Sequence, residues 1–354
     1  MPDTPLPRAP RPAPLRPDVA AVLDEHPFAQ YVRTLGRGPG KSRALTREEA
    51  RVALGMILRG EAEDMQVGAF LMLLRYRGED PDEITGLVEA ARDSFHAGLP
   101  PGCAPVALDW PSYGAGRTRG APWFLLAALA LAAAGHRVLM HGSNEFTRGT
   151  PVTEALGVLG LPVAGSMGDA AAMLDTHRFA YLPLAAFCPG LDRLLRLRGT
   201  LGLRSPINTA ARLLNPFDAR AGVDGVFHPP YITLHLAAAG LLGRGRLVVV
   251  KGGGGEAERT AAKPMSAHWY DAAAGQGEAA FPALPPAAEN GPEALVDVWH
   301  QGTGPGAATA RATIALALLA MGRADDAEAA DALATAVWER RLEPLPIEVN
   351  RKKL

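Results

Sequence analysis

Short apolar segments alternate with helical patterns from about residue 104 onward, and no other feature of the sequence constrains the fold as strongly. The segments predicted to be strands are Val106–Asp109, Val138–His141, Phe179–Pro183 and Leu247–Lys251, each ending in polar or glycine-rich sequence. Such alternation favours a mostly parallel sheet with helices on both faces. Ligands of parallel sheets bind at the carboxyl ends of the strands, so we expect the site there.

Three helices with clear start signals precede this region. Thr46 and Glu49 have the spacing of a capping box, Asp64 is placed to cap a second helix, and a third begins at Asp80-Pro81. Apolar residues recur at i, i+3, i+4 and i+7 along the second and third. The sequence therefore predicts an α/β protein with a small all-helical N-terminal lobe and a larger α/β lobe that carries a mostly parallel sheet.

The same patterns divide the chain. We assign residues 18–100 to the helical lobe, completed by an arginine-rich helical insert at 188–216, and residues 101–187 and 217–354 to the α/β lobe. Residues 1–17 contain seven prolines and three arginines and little that could be buried. We expect this segment to be a disordered tail.

Composition indicates an ordinary globular protein, with 48% hydrophobic residues and a net charge of −1. The longest apolar run, Ala121–Ala134, is about 14 residues and contains Pro122, so it is too short for a membrane span. Two cysteines, Cys103 and Cys188, cannot form a disulfide framework. We expect a cytoplasmic protein without a membrane partner.

Several motifs resemble the anthranilate phosphoribosyltransferases of the nucleoside phosphorylase and class II phosphoribosyltransferase superfamily. Leu45–Ala50 and Gly68–Leu71 are similar to the starts of two helices in that family's helical domain. Arg198–Pro216 aligns without gaps to a long family motif, and His141-Gly142 and Glu154–Gly157 supply two shorter matches. The resemblance extends over roughly residues 30–340 and implies the anthranilate phosphoribosyltransferase fold.

The family's phosphate loop, Gly-Thr-Gly-Gly-Asp, is not kept. Glycines are needed there because backbone N–H groups must approach a diphosphate closely. The corresponding segment here is Asp109–Gly116, in which Pro111 removes a donor and Trp110 and Tyr113 add bulk where the diphosphate would lie. We expect a loop filled by side chains, although Gly114 and Gly116 leave a displaced anion site open.

Other motif positions of the family also differ. Lys-His-Gly-Asn-Arg is replaced by Met140–Asn144, which removes two cations, and the metal-binding Asp-Glu pair by Ala257-Glu258, which removes one carboxylate of a magnesium site. The resemblance thus implies no catalytic residue, no metal and no cofactor. It leaves a vestigial ligand cleft, in which Arg198 aligns with the arginine that contacts anthranilate. The cleft residues are Ser112, Tyr113, His141, Ser143, Asn144, Arg198 and Asn208.

A side branch of the superfamily is a closer match. The segments Gly36–Gly38, Asp109–Tyr113 and Ala185–Pro189 resemble the bacterial YbiB proteins. This resemblance implies a homodimer that binds DNA or RNA without sequence preference and does not transfer a phosphoribosyl group.

Charge distribution supports an anionic partner independently. Residues 31–59 carry seven cations against two carboxylates, and residues 191–220 carry six against two. Arginine suits forked contacts with phosphate. At about 100° per residue, Arg193 and Arg196 point away from the leucine face of their helix, whereas Arg198 lies on that face. The candidate nucleic-acid-binding residues are Arg37, Lys41, Arg43, Arg193, Arg196, Arg204 and Arg212, the last placed near the cleft mouth.

Two other functions remain open on the sequence. One is a phosphoribosyltransferase or glycosyltransferase with an altered phosphate loop, acting on an aromatic or base-like acceptor. The other is a small-molecule sensor that keeps the cleft without the chemistry.

Overall fold

The computed structural model describes residues 25–38, 40–114, 120–259, 263–285 and 291–342. The predicted tail at residues 1–17 lies outside the described residues. Within them, a helical lobe precedes an α/β lobe, as the alternation of patterns predicts.

The described part of the helical lobe holds four helices. They are α1 (Ala29–Gly36), α2 (Arg47–Leu58), α3 (Asp64–Arg77) and α4 (Pro81–Phe95), followed by a short 3₁₀ turn at His96–Gly98. α1 was not predicted; its two buried side chains, Tyr31 and Leu35, are too few for a clear pattern.

The helix starts agree with the sequence signals in two of three cases. Thr46 caps α2, with the Glu49 amide donating to its hydroxyl at 3.2 Å, and Asp80 accepts from the Asp82 amide at 2.9 Å at the start of α4. The prediction that Asp64 caps α3 is wrong. The cap is Glu63, whose N–H donates to the Gln66 side chain at 3.1 Å.

Seven strands form one sheet in the order β3-β2-β1-β4-β5-β6-β7. They are β1 (Leu108–Ser112), β2 (Val138–Gly142), β3 (Phe179–Pro183), β4 (Ala221–Val226), β5 (Arg246–Lys251), β6 (Met265–Asp271) and β7 (Gly275–Phe281). The first five are parallel, and β6 and β7 add an antiparallel hairpin. The expected mostly parallel sheet is confirmed.

Strand β4 escaped prediction because its sequence, Ala-Gly-Val-Asp-Gly-Val, is rich in residues that disfavour strands. Close packing in the tertiary structure explains its glycines. A Cβ atom on Gly225 would lie 2.1 Å from the carbonyl carbon of Glu256, so the loop after β5 can approach β4 only if residue 225 has no side chain.

The helices of the α/β lobe surround the sheet. They are α5 (Trp123–Ala133), α6 (Val152–Val158), α7 (Met167–His177), α12 (Pro230–Leu241), α13 (Ala294–Gln301), α14 (Pro305–Ala320) and α15 (Ala327–Glu339). The insert between β3 and β4 is helical, as predicted, but broken into short pieces. These are α8 (Leu184–Phe187), α9 (Pro189–Arg196), α10 (Arg198–Leu201), α11 (Ile207–Ala210) and a 3₁₀ turn at Ala211–Leu213.

Two hydrophobic cores lie on the two faces of the sheet. One joins the helical lobe, the insert, α7 and α12 to one face. The other packs α5, α13, α14 and α15 on the opposite face. Every side chain of α5 from Trp123 to Ala132 is buried, which explains the apolar run in the sequence. No helix of the described residues is long and apolar enough to cross a membrane.

Helices α2 and α4 make the closest packing in the helical lobe. Glu83 of α4 is buried and accepts the Leu45 amide at 2.8 Å, just ahead of α2, and burial raises the pKa of this carboxyl. At Gly86 the two backbones are so close that an added Cβ would lie 2.1 Å from the carbonyl oxygen of Arg47.

We therefore expect Gly86→Ala to destabilise the protein by about 1–3 kcal/mol, because the clash is with backbone that cannot move aside. Gly157→Ala is the matched control. It also lies in a helix, but a Cβ there meets nothing within 4 Å, so the helix should gain about 0.5–1 kcal/mol. Urea denaturation of both variants measures the difference; equal effects would contradict the close packing at Gly86.

Candidate functional site

A cavity of about 310 Å³ lies where the helical lobe and the insert meet the carboxyl end of β4. Arg75 of α3 and Glu79, two residues after its end, line one side, and the insert contributes residues 198–212 in part. Residues 226–228 at the end of β4, with Tyr231 and His235 of α12, complete the lining. This cavity lies at the carboxyl ends of the strands, where the sequence places a ligand site, and that site stays a prediction.

Arginines dominate the charged lining. Arg75, Arg198, Arg204 and Arg212 border the cavity, and Glu79 is the one carboxylate among the described lining residues. Burial, together with the positive charges of Arg198, Arg212 and Arg75, lowers the pKa of Arg204. The cavity is therefore a place where positive charges repel one another and where an anion would be stabilised.

Glu79 is already engaged. The Tyr231 hydroxyl donates to its Oε2 at 2.8 Å, and Arg75 contacts both groups, at 3.4 Å to the Glu79 carboxylate. Burial and the neighbouring carboxylate raise the pKa of Tyr231 to about 12. This ternary contact joins α3 to α12, and so connects the two lobes at the cavity wall.

One lining residue, His235, belongs to a buried histidine–aspartate pair. His235 Nδ1 lies 2.9 Å from Asp224 Oδ2, and both side chains are at most 1% exposed. Sequence reasoning missed the pair, because Asp224 lies in the unpredicted strand β4 and His235 stands alone in an apolar helix.

Most residues predicted for the vestigial cleft do not line this cavity. Of the seven, Arg198 and Asn208 do, whereas Ser112, Tyr113 and His141 are at most 1% exposed beneath it. Ser143 and Asn144 are half-buried, and the Asn144 amide donates to the Tyr181 hydroxyl at 3.0 Å.

The buried residues form a polar network across the centre of the sheet. Asp109 of β1 has its Oδ1 3.2 Å from His141 Nε2, and its Oδ2 accepts a hydrogen bond from Arg244 at 2.6 Å. The Tyr113 hydroxyl lies 2.9 Å from His141 Nδ1. Burial alone would raise the pKa of Asp109, but His141 and Arg244 outweigh it and hold this pKa below its ordinary value.

Arg212 belongs to this interior rather than to the cleft mouth, which corrects the sequence prediction. It is 8% exposed. Its guanidinium donates to the carbonyl oxygens of Asn208 at 2.6 Å, Tyr113 at 3.0 Å and Gly225 at 3.1 Å. These contacts tie the insert to β1 and β4, so Arg212 acts as a structural cross-link.

The segment after Asp109 also differs from expectation. β1 continues to Ser112, so Trp110 and Pro111 are strand residues. The Trp110 ring lies on the opposite face of the sheet, 6.5 Å from the Phe124 ring centroid in a stacked arrangement, and does not occupy the cleft. Gly114 approaches the Glu256 side chain, where an added Cβ would meet its Oε1 at 2.5 Å. Gly116 lies outside the described residues.

Glu258, at the degenerate metal position, has a structural contact. Its Oε2 accepts the Phe124 amide at 2.9 Å, so the carboxylate caps the start of α5. Ala257 beside it is fully buried. Over the described residues, no group of three or more His, Cys, Asp or Glu side chains could hold a metal ion.

Comparison with known proteins identifies the family. A model of the glycosyl transferase family helical bundle domain matches residues 29–95, and a model of that family's a/b domain matches residues 124–278. The anthranilate phosphoribosyltransferase of Oleidesulfovibrio alaskensis is 30% identical over 236 residues, which cover 67% of this chain and 70% of that protein. The chain belongs to the glycosyl transferase family of the anthranilate phosphoribosyltransferases.

Two further relatives define the branch and the fold. The uncharacterized protein YbiB of Escherichia coli strain K12 is 32% identical over 207 residues, 58% of this chain and 64% of YbiB, so the match spans just under two thirds of that relative. The anthranilate phosphoribosyltransferase TrpD of Thermus thermophilus superimposes with a TM-score of 0.71 at 24% identity, over 90% of this chain and 95% of that chain. The predicted resemblance and fold are both confirmed.

The first group of predicted nucleic-acid contacts lies between the first two helices of this transferase-family lobe. Arg37 and Lys41 are exposed. Arg43 is paired, with its Nη1 and Nη2 each 2.6 Å from a Glu49 oxygen. This ion pair lowers the pKa of Glu49 to about 2.

The second group lies on α9. Arg193 is exposed and makes no ion pair with another described residue. Arg196 bridges Asp192 at 2.7 Å and Glu145 at 2.5 Å, so its charge is largely compensated. A Cβ on Gly190 would lie 2.8 Å from Leu58 at the end of α2, whereas the first group precedes the start of that helix. The two groups are thus separated by α2, about 18 Å long.

The sequence places Arg198 on the leucine face of α9, whereas in the structure α9 ends at Arg196 and Arg198 begins α10. Arg198 is half-buried at the cavity instead, with its guanidinium carbon 4.9 Å from the centroid of the Phe146 ring.

The buried network supplies a stability test. We expect Arg244→Gln to cost about 3–5 kcal/mol at pH 7, because Asp109 would keep its charge without its main partner. The wild-type contribution of Asp109 is present above its ordinary pKa of 3.8 and is lost as the pH falls through the lower folded value. The uncompensated carboxyl of the variant takes up its proton at a higher pH, so the gap between the two proteins narrows in acid.

The matched control is Arg51→Gln, which removes a surface pair with Asp93 at 2.8 Å whose side chains are 43% and 56% exposed. It should cost less than about 1 kcal/mol at any pH. Urea denaturation at pH 7 and pH 4 distinguishes the two variants. A loss at Arg244 no larger than at Arg51 would refute a charged Asp109.

Proposed function

We propose that this family member is a non-catalytic nucleic-acid-binding protein without sequence preference. The proposal rests on the convergence of Arg75, Arg198 and Arg204 on one cavity at the carboxyl ends of the parallel strands, called the carboxyl edge of the sheet below. Guanidinium groups bind phosphate through forked, charge-assisted hydrogen bonds. Arg193, exposed on α9, extends the cationic surface of the same insert.

Aromatic rings accompany two of these arginines, which the sequence did not reveal. Arg204 lies over Phe227 at 5.6 Å and Arg198 over Phe146 at 4.9 Å. The Phe227 ring is 44% exposed beside the cavity. Arginines next to exposed aromatic faces are typical of surfaces that bind single strands, where bases stack and the backbone is held by charge.

The absence of catalysis is proposed from what occupies the family's motif positions. Asp109 and His141 are committed to the buried network, and Glu258 caps α5. Arg212 donates to three backbone carbonyls near Tyr113. Each of these four side chains is held by an internal partner.

The test uses charge reversal at the two basic groups. We expect Lys41→Glu combined with Arg193→Glu to weaken binding of single-stranded oligonucleotides at least about ten-fold, whatever their sequence, because two phosphate contacts are replaced by repulsion. The slope of log K against log salt should fall by about 0.7–0.9 for each phosphate that the variant no longer binds. Gel-shift or fluorescence titrations over a salt series measure both quantities.

Arg311→Glu is the control, since Arg311 is exposed on α14, which packs on the face of the sheet opposite the helical lobe. It should leave affinity and slope near wild type. Wild-type protein that ignores oligonucleotides at about 50 mM salt would contradict the proposal, as would an equal loss in the control.

A second function is favoured by one observation. His235, which is paired with the buried Asp224, lines a cavity of about 310 Å³, a combination suited to a small ligand with a polar group. Such a cavity would serve a transferase acting on an aromatic or base-like acceptor. Magnesium-dependent phosphoribosyl transfer that is lost in His235→Gln would support this function against the first.

We also propose a homodimer formed through the helical lobe. α3 presents Met65 and Tyr76, 86% and 90% exposed, and the exposed Ala69 on one helical face. Large apolar side chains so exposed on a single stripe are typical of an interface. A second copy is the proposed occupant, as the resemblance to the YbiB branch implies.

Met65→Glu combined with Tyr76→Glu is therefore expected to convert a dimer into a monomer of 37.2 kDa. The introduced carboxylates would be buried against an apolar partner, which is costly. Light scattering at micromolar concentration gives the mass. Wild-type protein that already has the mass of one chain would refute the interface.

A further inference from the structure

A second cavity, of about 510 Å³, opens at the amino ends of the parallel strands, called the amino edge of the sheet below. Residues 105–107 ahead of β1, Arg220 ahead of β4 and Arg246 at the start of β5 form one side. Asp271 at the end of β6 and residues 320–323 at the end of α14 form the other. β4 spans six residues, so about 20 Å of sheet separates this cavity from the first.

Three arginines from three different elements line this cavity. Arg220 and Arg323 are exposed. Arg246 is largely buried: its side chain is 17% exposed and its guanidinium carbon lies 5.5 Å from the centroid of the Trp269 ring. Its Nε is buried and makes no hydrogen bond within the described part of the chain.

The carboxylate in the lining does not neutralise the three arginines. Asp271 Oδ1 accepts the amides of Ala273 and Ala274 at 2.8 and 3.0 Å, and Oδ2 lies 3.2 Å from Arg246. These two amides, and then Arg246 and Arg220, lower the pKa of Asp271. Three cations therefore face one anion, among the described lining residues, that is already bound.

Helix ends explain part of this charge but not all of it. α5, α7 and α12 end just before β2, β3 and β5, and cations favour the carboxyl ends of helices. At α14, however, the carbonyl oxygens of residues 317, 318 and 319 already accept the amides of residues 321, 323 and 322. The Arg323 side chain is not needed to close this helix. Burial, followed by the charge of Arg323, lowers the pKa of neighbouring His136, which indicates a positive potential here.

We propose that this edge cavity binds a small molecule bearing a phosphate group. Its two surplus positive charges match a phosphate monoester dianion, and three guanidinium forks can divide its oxygens among them. None of the described lining residues is aromatic, whereas Phe227 lines the first cavity, so this cavity suits a single phosphate better than a strand whose bases stack. The volume exceeds that of a phosphate group alone, so the remainder of the ligand has room. The proposal is independent of the function proposed for the carboxyl edge.

Inorganic phosphate is the probe, titrated into the full chain by calorimetry against chloride at matched ionic strength. We expect saturable binding at one site, weakened at least about ten-fold by Arg220→Gln combined with Arg323→Gln. Both side chains are exposed, so the thermal melting curve in chloride should not move. Arg178→Gln is the matched control, because Arg178 is exposed on the same edge just ahead of β3 but does not line the cavity.

Three outcomes overturn the proposal. The first is wild-type protein with no saturable phosphate binding beyond that of chloride. The second is binding that survives in the double variant and is lost in Arg204→Gln, which would place the anion in the cavity between the lobes. The third is a double variant that loses oligonucleotide binding together with phosphate, which would make the edge part of a nucleic-acid surface. Loss of phosphate binding in the double variant, with oligonucleotide binding and the Arg178 control both intact, supports the site.

Discussion

A charged aspartate at the centre of a parallel sheet is the constraint on which the carboxyl edge of this protein depends. Asp109 is fully buried in β1, and an uncompensated charge there would cost several kcal/mol. Arg244 pairs with one of its oxygens, His141 lies 3.2 Å from the other, and His141 in turn contacts Tyr113. Arg212 then holds the Tyr113 carbonyl and connects the network to the insert. One buried charge thus organises β1, β2, β4 and the insert together.

This arrangement has a consequence for chemistry at the edge. A phosphate loop needs backbone amides that face solvent and side chains small enough to admit the ligand. Here the strand continues through Pro111, and Tyr113 turns inward to His141. Asp109 and Tyr113 are held by Arg244 and His141, and this removes their side chains from the cleft. The cations that remain at the cleft come from the insert and α3, elements that pack on the sheet without being part of it.

The arginines at the two edges of the sheet therefore have different surroundings. At the carboxyl edge, Arg198 and Arg204 lie over aromatic rings beside a cavity between two lobes. At the amino edge, arginines gather where helices end, and three of them surround a separate cavity. The net charge of −1 conceals both groups, because carboxylates elsewhere on the chain balance them. Local distribution, rather than total charge, determines what each surface can attract.

The sequence by itself determined the α/β class, the helical lobe, the capping of α2 and α4 and the family, because hydrophobic periodicity and capping residues act within a few positions of the chain. Only the tertiary structure decided which polar residues meet. Strand β4, with its glycines and Asp224, is a strand because neighbours on both sides complete it. Arg212 became a buried cross-link and Glu258 a helix cap because their partners, Tyr113 and Phe124, lie about 100 or more residues away in sequence. Contacts at such separation leave no local pattern in the sequence, so hydrophobic periodicity could not have predicted them.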